Sequence, residues 1–322
     1  MSFAAHKLGF QVFITDINSS ALVRMKDNIY PKRYGKWERS IVQINYKDLN
    51  KVKNYNFDMI IIGTPPHKHK AILKFCIDNF TYKKILVEKP LYVYNQKLDP
   101  EFILNNKNIF CGYNHSISRS FQFFLKKIKK YKDQLNLIDV KWKEGWFGIL
   151  NAHHWLKNEF DSYLGNIRIG GGALHEHSHG VHLLIIILEN LNLDIKKFKI
   201  KKNILFKNKQ KIKYDKFCNI FGTYKSKIFQ YETDLITFPY KKEIRLSGDN
   251  ISLSWTCSYE NGKDLVKIIN KNKIYIKKFI KTRSSEFENE IQYIQKNRLN
   301  KKNELSLFYA NKVIEFIKSI LK

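Results

Sequence analysis

Two places in the chain gather side chains able to move protons. The first is Lys89, which follows the apolar run 84–88 (KILVE) and precedes Pro90. A lysine at the carboxyl end of a parallel strand faces the crevice where open α/β sheets bind ligands. The proline restricts the backbone immediately beyond it. The second place is the run 170–179, GGGALHEHSH, where Glu176 stands among His175, His177 and His179. A lysine and a histidine in one crevice suit hydride transfer at a carbinol carbon. That reaction needs a base for the hydroxyl proton and a positive group beside the developing alkoxide. Six of the ten histidines fall between residues 153 and 182, which also admits a metal. If 173–188 is one helix, His175, His179 and His182 share a face through i,i+4 and i,i+3 spacing. HExxH is absent and HEHSHGVH is no standard ligand set, so a histidine-rich metal-binding protein stands as an alternative, and no metal site is assigned.

The elements that must position these groups alternate between strand and helix. Residues 2–8 read as the end of a helix, with Gly9 at its C-terminal glycine position. Phe10–Thr15 then forms a strand that ends at Asp16, and a helix follows with Asn18 or Ser19 as its N-cap. The run 57–62 (FDMIII) is nearly continuous in apolar residues, the pattern of a strand buried on both faces. Helix 68–79, strand 84–88 and strand 108–113 come next. The expected fold class is α/β: a Rossmann-like, doubly wound parallel sheet over residues 1–115, then an α+β domain over 116–322 with a mostly antiparallel sheet. In the second part, helix 121–131 precedes strands at 136–147, 196–206, 211–221, 227–238, 242–247 and 251–255, with a hairpin turn at 247–250. Helices 286–293 and 304–321 close the chain.

Asp16 has a specific meaning in such a sheet. An acid at the end of the second strand hydrogen-bonds the adenosine ribose and favours NAD over NADP. It normally lies about 20 residues after the first glycine of the phosphate loop, and that count runs back past Met1. The first strand and glycine-rich loop are therefore expected to be missing, with weak binding of NAD as the consequence. No GxGxxG occurs elsewhere in the chain.

Four segments resemble one family. Residues 61–70 (IIGTPPHKHK), Val87-Glu88-Lys89-Pro90, Cys111-Gly112-Tyr113-Asn114 and 170–179 are similar, in order and rough spacing, to the motifs of the Gfo/Idh/MocA oxidoreductases. These are the relatives of glucose–fructose oxidoreductase and inositol dehydrogenase. The resemblance covers most of residues 1–190. It implies an NAD-dependent enzyme (NADP being the lesser choice) that transfers a hydride to or from a sugar, cyclitol or nucleotide-sugar carbon. By resemblance, Glu88 and Pro90 position the turn, and Lys89 polarises the substrate oxygen or relays its proton. Thr64, Pro65 and Pro66 pass against the cofactor ring. His69, the match to the family's histidine after this turn, packs that turn and is counted with Glu88, Lys89, Asn114 and Asp16 as lining the cofactor. The family's acid lies four residues after the last glycine, which is Glu176 here. Its histidine lies eight after, where this chain has Gly180. A contracted subgroup pattern places that role on His179, with His175 and His182 as adjacent candidates and Glu176 orienting the histidine or the substrate. His153, His154, Trp155 and Tyr163 resemble the substrate-facing loop.

Charge is the unusual bulk property: 58 basic against 29 acidic residues give +29. Eight of the basic residues are Arg and fifty are Lys. Base reading and bidentate phosphate recognition favour Arg, so a scattered lysine excess argues against a nucleic-acid partner. Four dispersed cysteines with no CxxC point to a reducing compartment rather than a disulfide framework. The longest apolar run, 181–188, is too short to span a bilayer, and no signal-peptide pattern opens the chain. A cytoplasmic location, no membrane partner and a homo-oligomer formed through the C-terminal sheet are the resulting expectations. The competing reading is a non-catalytic or truncated relative with weak cofactor binding.

Overall fold

Apolar runs that lack alternation become strands covered on both faces, and they build the first part of the molecule. The computed structural model describes residues 1–260, 262–296 and 303–322. Helix α1 (Ser2–Lys7) stops at Gly9, which takes φ +85° and turns the chain into β1 (Val12–Asp16). Asn18 accepts from the Ser20 amide and starts α2 (Ser19–Arg24). After α3 (Tyr30–Tyr34), β2 (Ile41–Asn45) pairs in parallel with β1. The run 57–62 is not one strand. It splits into β3 (Asn56–Phe57) and β4 (Ile60–Ile62), because Asp58 stays at the surface in a 2.7 Å ion pair with Lys83. Then come α4 (Pro66–Asn79), β5 (Thr81–Tyr82), β6 (Ile85–Val87), α5 (Pro100–Asn105) and β7 (Ile109–Cys111). β4, β6 and β7 form a parallel trio with β6 in the middle and all three of its residues buried. β3 pairs with β5. Among the described residues, the β1–β2 pair and the trio are not hydrogen-bonded to each other.

The second part is a large sheet with helices against one face. Helix α6 (Arg119–Tyr131) leads to β8 (Leu137–Lys143), α7 (Trp146–Ala152), α8 (Ala173–Glu176) and α9 (Ser178–Asn190). β9 (Lys199–Lys209), β10 (Ile212–Tyr224), β11 (Lys227–Asp234), β12 (Lys241–Gly248), β13 (Ile251–Glu260), β14 (Lys263–Asn270) and β15 (Lys273–Ile280) follow. The order is β15-β14-β13-β12-β8-β11-β10-β9, antiparallel throughout except for the β8–β11 pair. Helices α10 (Arg283–Lys296) and α11 (Leu307–Leu321) close the chain. The segment before α11 returns to the first part: Cys111 N donates to Leu305 O, and Phe110 bridges Ser306. Among the described residues, no helix is long and apolar enough to cross a membrane.

Several boundaries differ from the sequence reading for local reasons. The expected strand 136–147 ends at Lys143, because Gly145 lies flat against the backbone of Ile236 and Trp146 begins α7. The strand expected over 227–238 stops at Asp234, whose carboxylate accepts from Ile236 N, Thr237 N and Thr237 Oγ1. β14 and β15 are additional strands. The lysine-rich alternation of β15 reads as a solvated loop because nearly every residue in it is exposed.

β8 shows how the layers join. Ile138, Val140 and Trp142 point inward and are buried, while Asp139, Lys141 and Lys143 alternate outward. α9 rests on that inner face through Gly180, where an added Cβ would lie 2.7 Å from Trp142 and 2.8 Å from Tyr231. The helix is apolar around its circumference because it is enclosed by the sheet, α6 and α11. Gly180→Val should therefore lower stability by about 2 kcal/mol or more through overpacking, read as a fall in the urea midpoint. Gly63→Ala, at a position with open space around it, serves as the unaffected control.

Candidate functional site

Lys89 emerges from the end of β6 beside Glu176 of α8. Its ammonium donates to the Glu176 carbonyl oxygen at 2.6 Å and lies 3.4 Å from Glu176 Oε2. Burial alone would lift the Glu176 carboxyl. The charges of Lys89 and His177 and the hydrogen bond from Lys89 outweigh it, leaving this carboxyl below the usual range. Glu88 turns the other way, against β7. Gly112 makes room for it, since a Cβ there would press on Glu88 Oε2 at 3.0 Å. Burial raises the Glu88 carboxyl despite the adjacent Lys89. Tyr163 sits within the field of both acids, and burial followed by Glu176 and Glu88 pushes its phenol up.

The turn that presents Glu176 is pinned on two sides. Gly170, at φ +100°, packs on Pro66, and Gly172, at φ +91°, packs on Asp215 of β10. Asp215 is fully buried, accepts from Leu174 N at 2.8 Å and holds the start of α8. Burial lifts its carboxyl to about 7. No side chain fits at Gly172 without displacing this carboxylate. Pro66 on one side and Asp215 on the other thus fix the height at which Glu176 meets Lys89.

The expected continuous helix over 173–188 is interrupted at His177, and the break separates the histidines. His175 is buried, with Nδ1 facing Gly171 O at 3.1 Å and its ring beside Tyr94. His177 Nε2 faces Asp234 O at 3.0 Å. His182 stacks on Tyr113 with ring centres 4.2 Å apart, and its Nε2 faces Glu304 O at 2.8 Å. The shared face of His175, His179 and His182 is therefore not formed. Among the described residues, no group of three His, Cys, Asp or Glu is arranged to hold a metal. Burial lowers His175 and His177 to about 4 and His182 to about 3. His179 packs against Tyr113, His115 and Trp142, and its Nδ1 is shut off from solvent without a partner. Burial, then the charges of His115, Lys89, His182 and Lys242, hold it well below the ordinary histidine value.

The remaining positions surround this centre at different depths. Asp16 ends β1, is exposed, and accepts from Asn18 N at 2.8 Å through one oxygen. At the end of β4, open space surrounds Gly63, and the buried Thr64 hydroxyl has no partner. These features fit a dinucleotide at its ribose and nicotinamide ends. No GxGxxG turn occurs among the described residues. Pro65 caps α4 and Pro66 begins it. His69 is buried, with its ring nitrogens facing Pro90 O at 3.0 Å and Thr64 O at 2.6 Å. It braces the two turns, with both ring nitrogens engaged by backbone carbonyls. Asn114 begins the one-turn helix after β7. His153 Nδ1 faces Ile149 O, and its charge acts on Glu176. His154 and Trp155 pack on each other, and the Arg24 guanidinium lies 5.3 Å above Trp155. The structure thus brings Lys89, Glu88, Glu176, Tyr163, His153 and His179 within electrostatic reach of one another, and leaves Asp16 and His154 exposed at the periphery. Sequence reasoning named His177 only as part of the histidine cluster and missed Asp215 and His115. Only His115 had a signal, as the next residue after the Gly112-Tyr113-Asn114 motif.

With this geometry in view, the comparisons are specific. The model of an oxidoreductase family with an NAD-binding Rossmann fold, Gfo/Idh/MocA, matches residues 28–99. Over those residues the chain is similar to that family. Solved oxidoreductase structures share the fold of nearly the whole chain. Levoglucosan dehydrogenase in complex with NADH and levoglucosan is 13% identical over 99% of this chain and 92% of its own, with a TM-score of 0.69. The 3-ketoreductase KijD10 from Actinomadura kijaniata, with NADP and TDP-benzene, is 12% identical over 94% and 87%, with a TM-score of 0.65. An inositol dehydrogenase homolog from Azotobacter vinelandii, with NAD+, is 12% identical over 81% and 74%, with a TM-score of 0.59. No curated protein matches the sequence.

The Lys89–Glu176 pairing makes a pH prediction. The folded-state carboxyl is depressed, so the pair adds stability above the ordinary carboxylate range and loses it as pH falls through the folded value. Lys89→Met leaves burial as the main influence, and the Glu176 carboxyl rises instead. The variant should be about 1–3 kcal/mol less stable at neutral pH, with the deficit shrinking toward about pH 4 as Glu176 takes up a proton. Thermal melts across that range check the sign.

Proposed function

We propose that this Gfo/Idh/MocA chain is an NAD(H)-dependent oxidoreductase acting on a hydroxyl-bearing carbon of a sugar, cyclitol or nucleotide-linked sugar. The observation that carries the reading is the Lys89 ammonium held on Glu176 at the carboxyl end of the buried strand β6. That end is where open parallel sheets present ligands. Bound nicotinamide supplies or accepts the hydride. The chain's own residues supply the rest. Asp16 holds the adenosine ribose, and Thr64, Pro65, Pro66, Glu88 and Asn114 line the path to the nicotinamide. Lys89 places positive charge beside the substrate oxygen as alkoxide character develops. His179, kept unprotonated by burial and by neighbouring charges, takes the hydroxyl proton. Glu176 fixes Lys89. His153, His154, Trp155 and Tyr163 contact the sugar, with ring faces and hydrogen-bonding groups that suit a carbohydrate.

The exposed Asp16 favours two free ribose hydroxyls over a 2′-phosphate, whose charge it would repel, so NAD is the proposed cofactor and NADP the poorer one. Residues 1–115 form the nucleotide domain and 116–322 the substrate domain in this reading. The outer face of the eight-stranded sheet joins two copies.

The test is a turnover screen of sugars, cyclitols and nucleotide sugars with NAD and NADP, followed at the nicotinamide absorbance. Wild type should turn over at least one of them, preferring NAD. Lys89→Ala should lose about 10²-fold or more in kcat/KM. Turnover that survives Lys89→Ala unchanged would remove the lysine from the chemistry.

A further inference from the structure

His179 presents a problem of proton traffic. Its Nδ1 is sealed from solvent and has no partner, so a proton delivered to the other ring nitrogen needs an exit. The neighbour on that ring is His115, with ring centres 4.6 Å apart at 72°, an edge-to-face contact. His115 Nδ1 lies in turn 3.8 Å from Glu286 Oε1 of α10. That distance exceeds a hydrogen bond, and one bridging water or a small ring rotation closes it. Glu286 lines a separate cavity of about 160 Å³, together with Asn114, Ser118, Arg119, Lys281 and Asn289, and its wall includes none of Lys89, Glu176 or His179.

We propose that His115 is a positioning residue that relays the His179 proton to Glu286 and so to water in this second cavity. The inference rests on the oxidoreductase reading above. In the direction of alcohol oxidation, His179 accepts the hydroxyl proton at one nitrogen and releases another from Nδ1. A ring rotation out of the edge-to-face contact brings a His115 nitrogen onto Nδ1. His115 accepts that proton on one nitrogen and gives the N–H proton of the other to the Glu286 carboxylate, which gives it to solvent. Both rings then flip to restore their starting tautomers. Only N–H and O–H bonds are exchanged, and one proton leaves for each alcohol oxidised; reduction runs the route in reverse.

The surroundings suit a relay. His115 is faced by Cys257 Sγ at 3.9 Å from β13 and by the Trp142 ring from β8, as well as by His179 and Glu286. Burial and the charges of Lys281, Lys242 and Lys89 keep it neutral, so one ring nitrogen is free to accept while the other carries the proton that is passed on. Lys281, at the end of β15, pairs with Glu286 at 2.8 Å and with Asp264 at 2.9 Å. Ser120 donates to Asp264 at 2.6 Å, which locks the far wall of the cavity.

The test combines a catalytic and a non-catalytic readout. In the holoenzyme, His115→Ala should lower kcat about 10²-fold with KM changed less than about twofold, and added imidazole should restore at least about tenfold. Glu286→Gln should lower kcat and respond to formate in the same way. Independently of turnover, a titration of ¹⁵N-histidine-labelled protein by NMR should show the His179 ring moving to higher pH in His115→Gln, since the repulsion between the two rings as both take up protons is gone. An unmoved His179 titration would overturn the relay, as would a kcat loss that imidazole cannot restore or unchanged turnover. If wild type turns over nothing, the oxidoreductase reading fails, while the NMR titration still decides whether the two histidines are coupled. Should His115→Gln fail to fold, the same titration of Glu286→Gln decides. An unmoved His115 signal there removes the last link.

Discussion

One charge pair sets the constraints on the rest of the molecule: the Lys89 ammonium against Glu176. An ammonium partly withdrawn from water needs acceptors, and a withdrawn carboxylate needs a cation or it takes up a proton. The two groups lie 87 residues apart in the chain. They meet because β6 delivers Lys89 to the sheet's carboxyl edge and because the glycine turn at 170–172 brings α8 down onto it. Each part of that approach is sterically committed: Pro66 beneath Gly170, Asp215 against Gly172, and Trp142 and Tyr231 beneath Gly180. The closeness of the packing and the placement of the charge pair are the same fact seen at two scales.

The lysine excess takes on a role in that light. Most of the fifty lysines cover surface, yet Lys89, Lys242 and Lys281 place positive potential on the histidines around the site. That potential adds to burial, and both disfavour the imidazolium. A histidine held neutral over the working pH range keeps a nitrogen free to accept a proton, at the cost of weaker basicity. A net positive field of this size draws anionic small molecules toward the protein. The charge is thus consistent with the proposed chemistry without a nucleic-acid partner.

The sequence made visible what depends on local pattern. Lys89 stood out among fifty lysines because an apolar run precedes it and Pro90 follows, and those are the residues that form β6 and its turn. A cap at Asn18 or Ser19, α4 and short apolar strands of a parallel sheet were legible for the same reason. The histidine cluster was legible as a cluster but not as an arrangement. Periodicity gave one helix, whereas the pinned glycine entry forces a break at His177 and turns His175 and His182 to different partners. Asp215 had no local signature, since its role comes from a strand more than 40 residues beyond the helix it holds. β14 and β15 were hidden by lysines that alternate with apolar residues on an exposed edge, where composition imitates a loop.

The most direct measurement of the central claim is isotope transfer. Purified protein is incubated with NADH carrying deuterium at the transferable position and with oxidised sugars, and the products are read by mass spectrometry. The account predicts a single deuterium on the carbinol carbon of one product, delivered from one face of the nicotinamide. Substrate and cofactor that bind together with no deuterium transferred would contradict it.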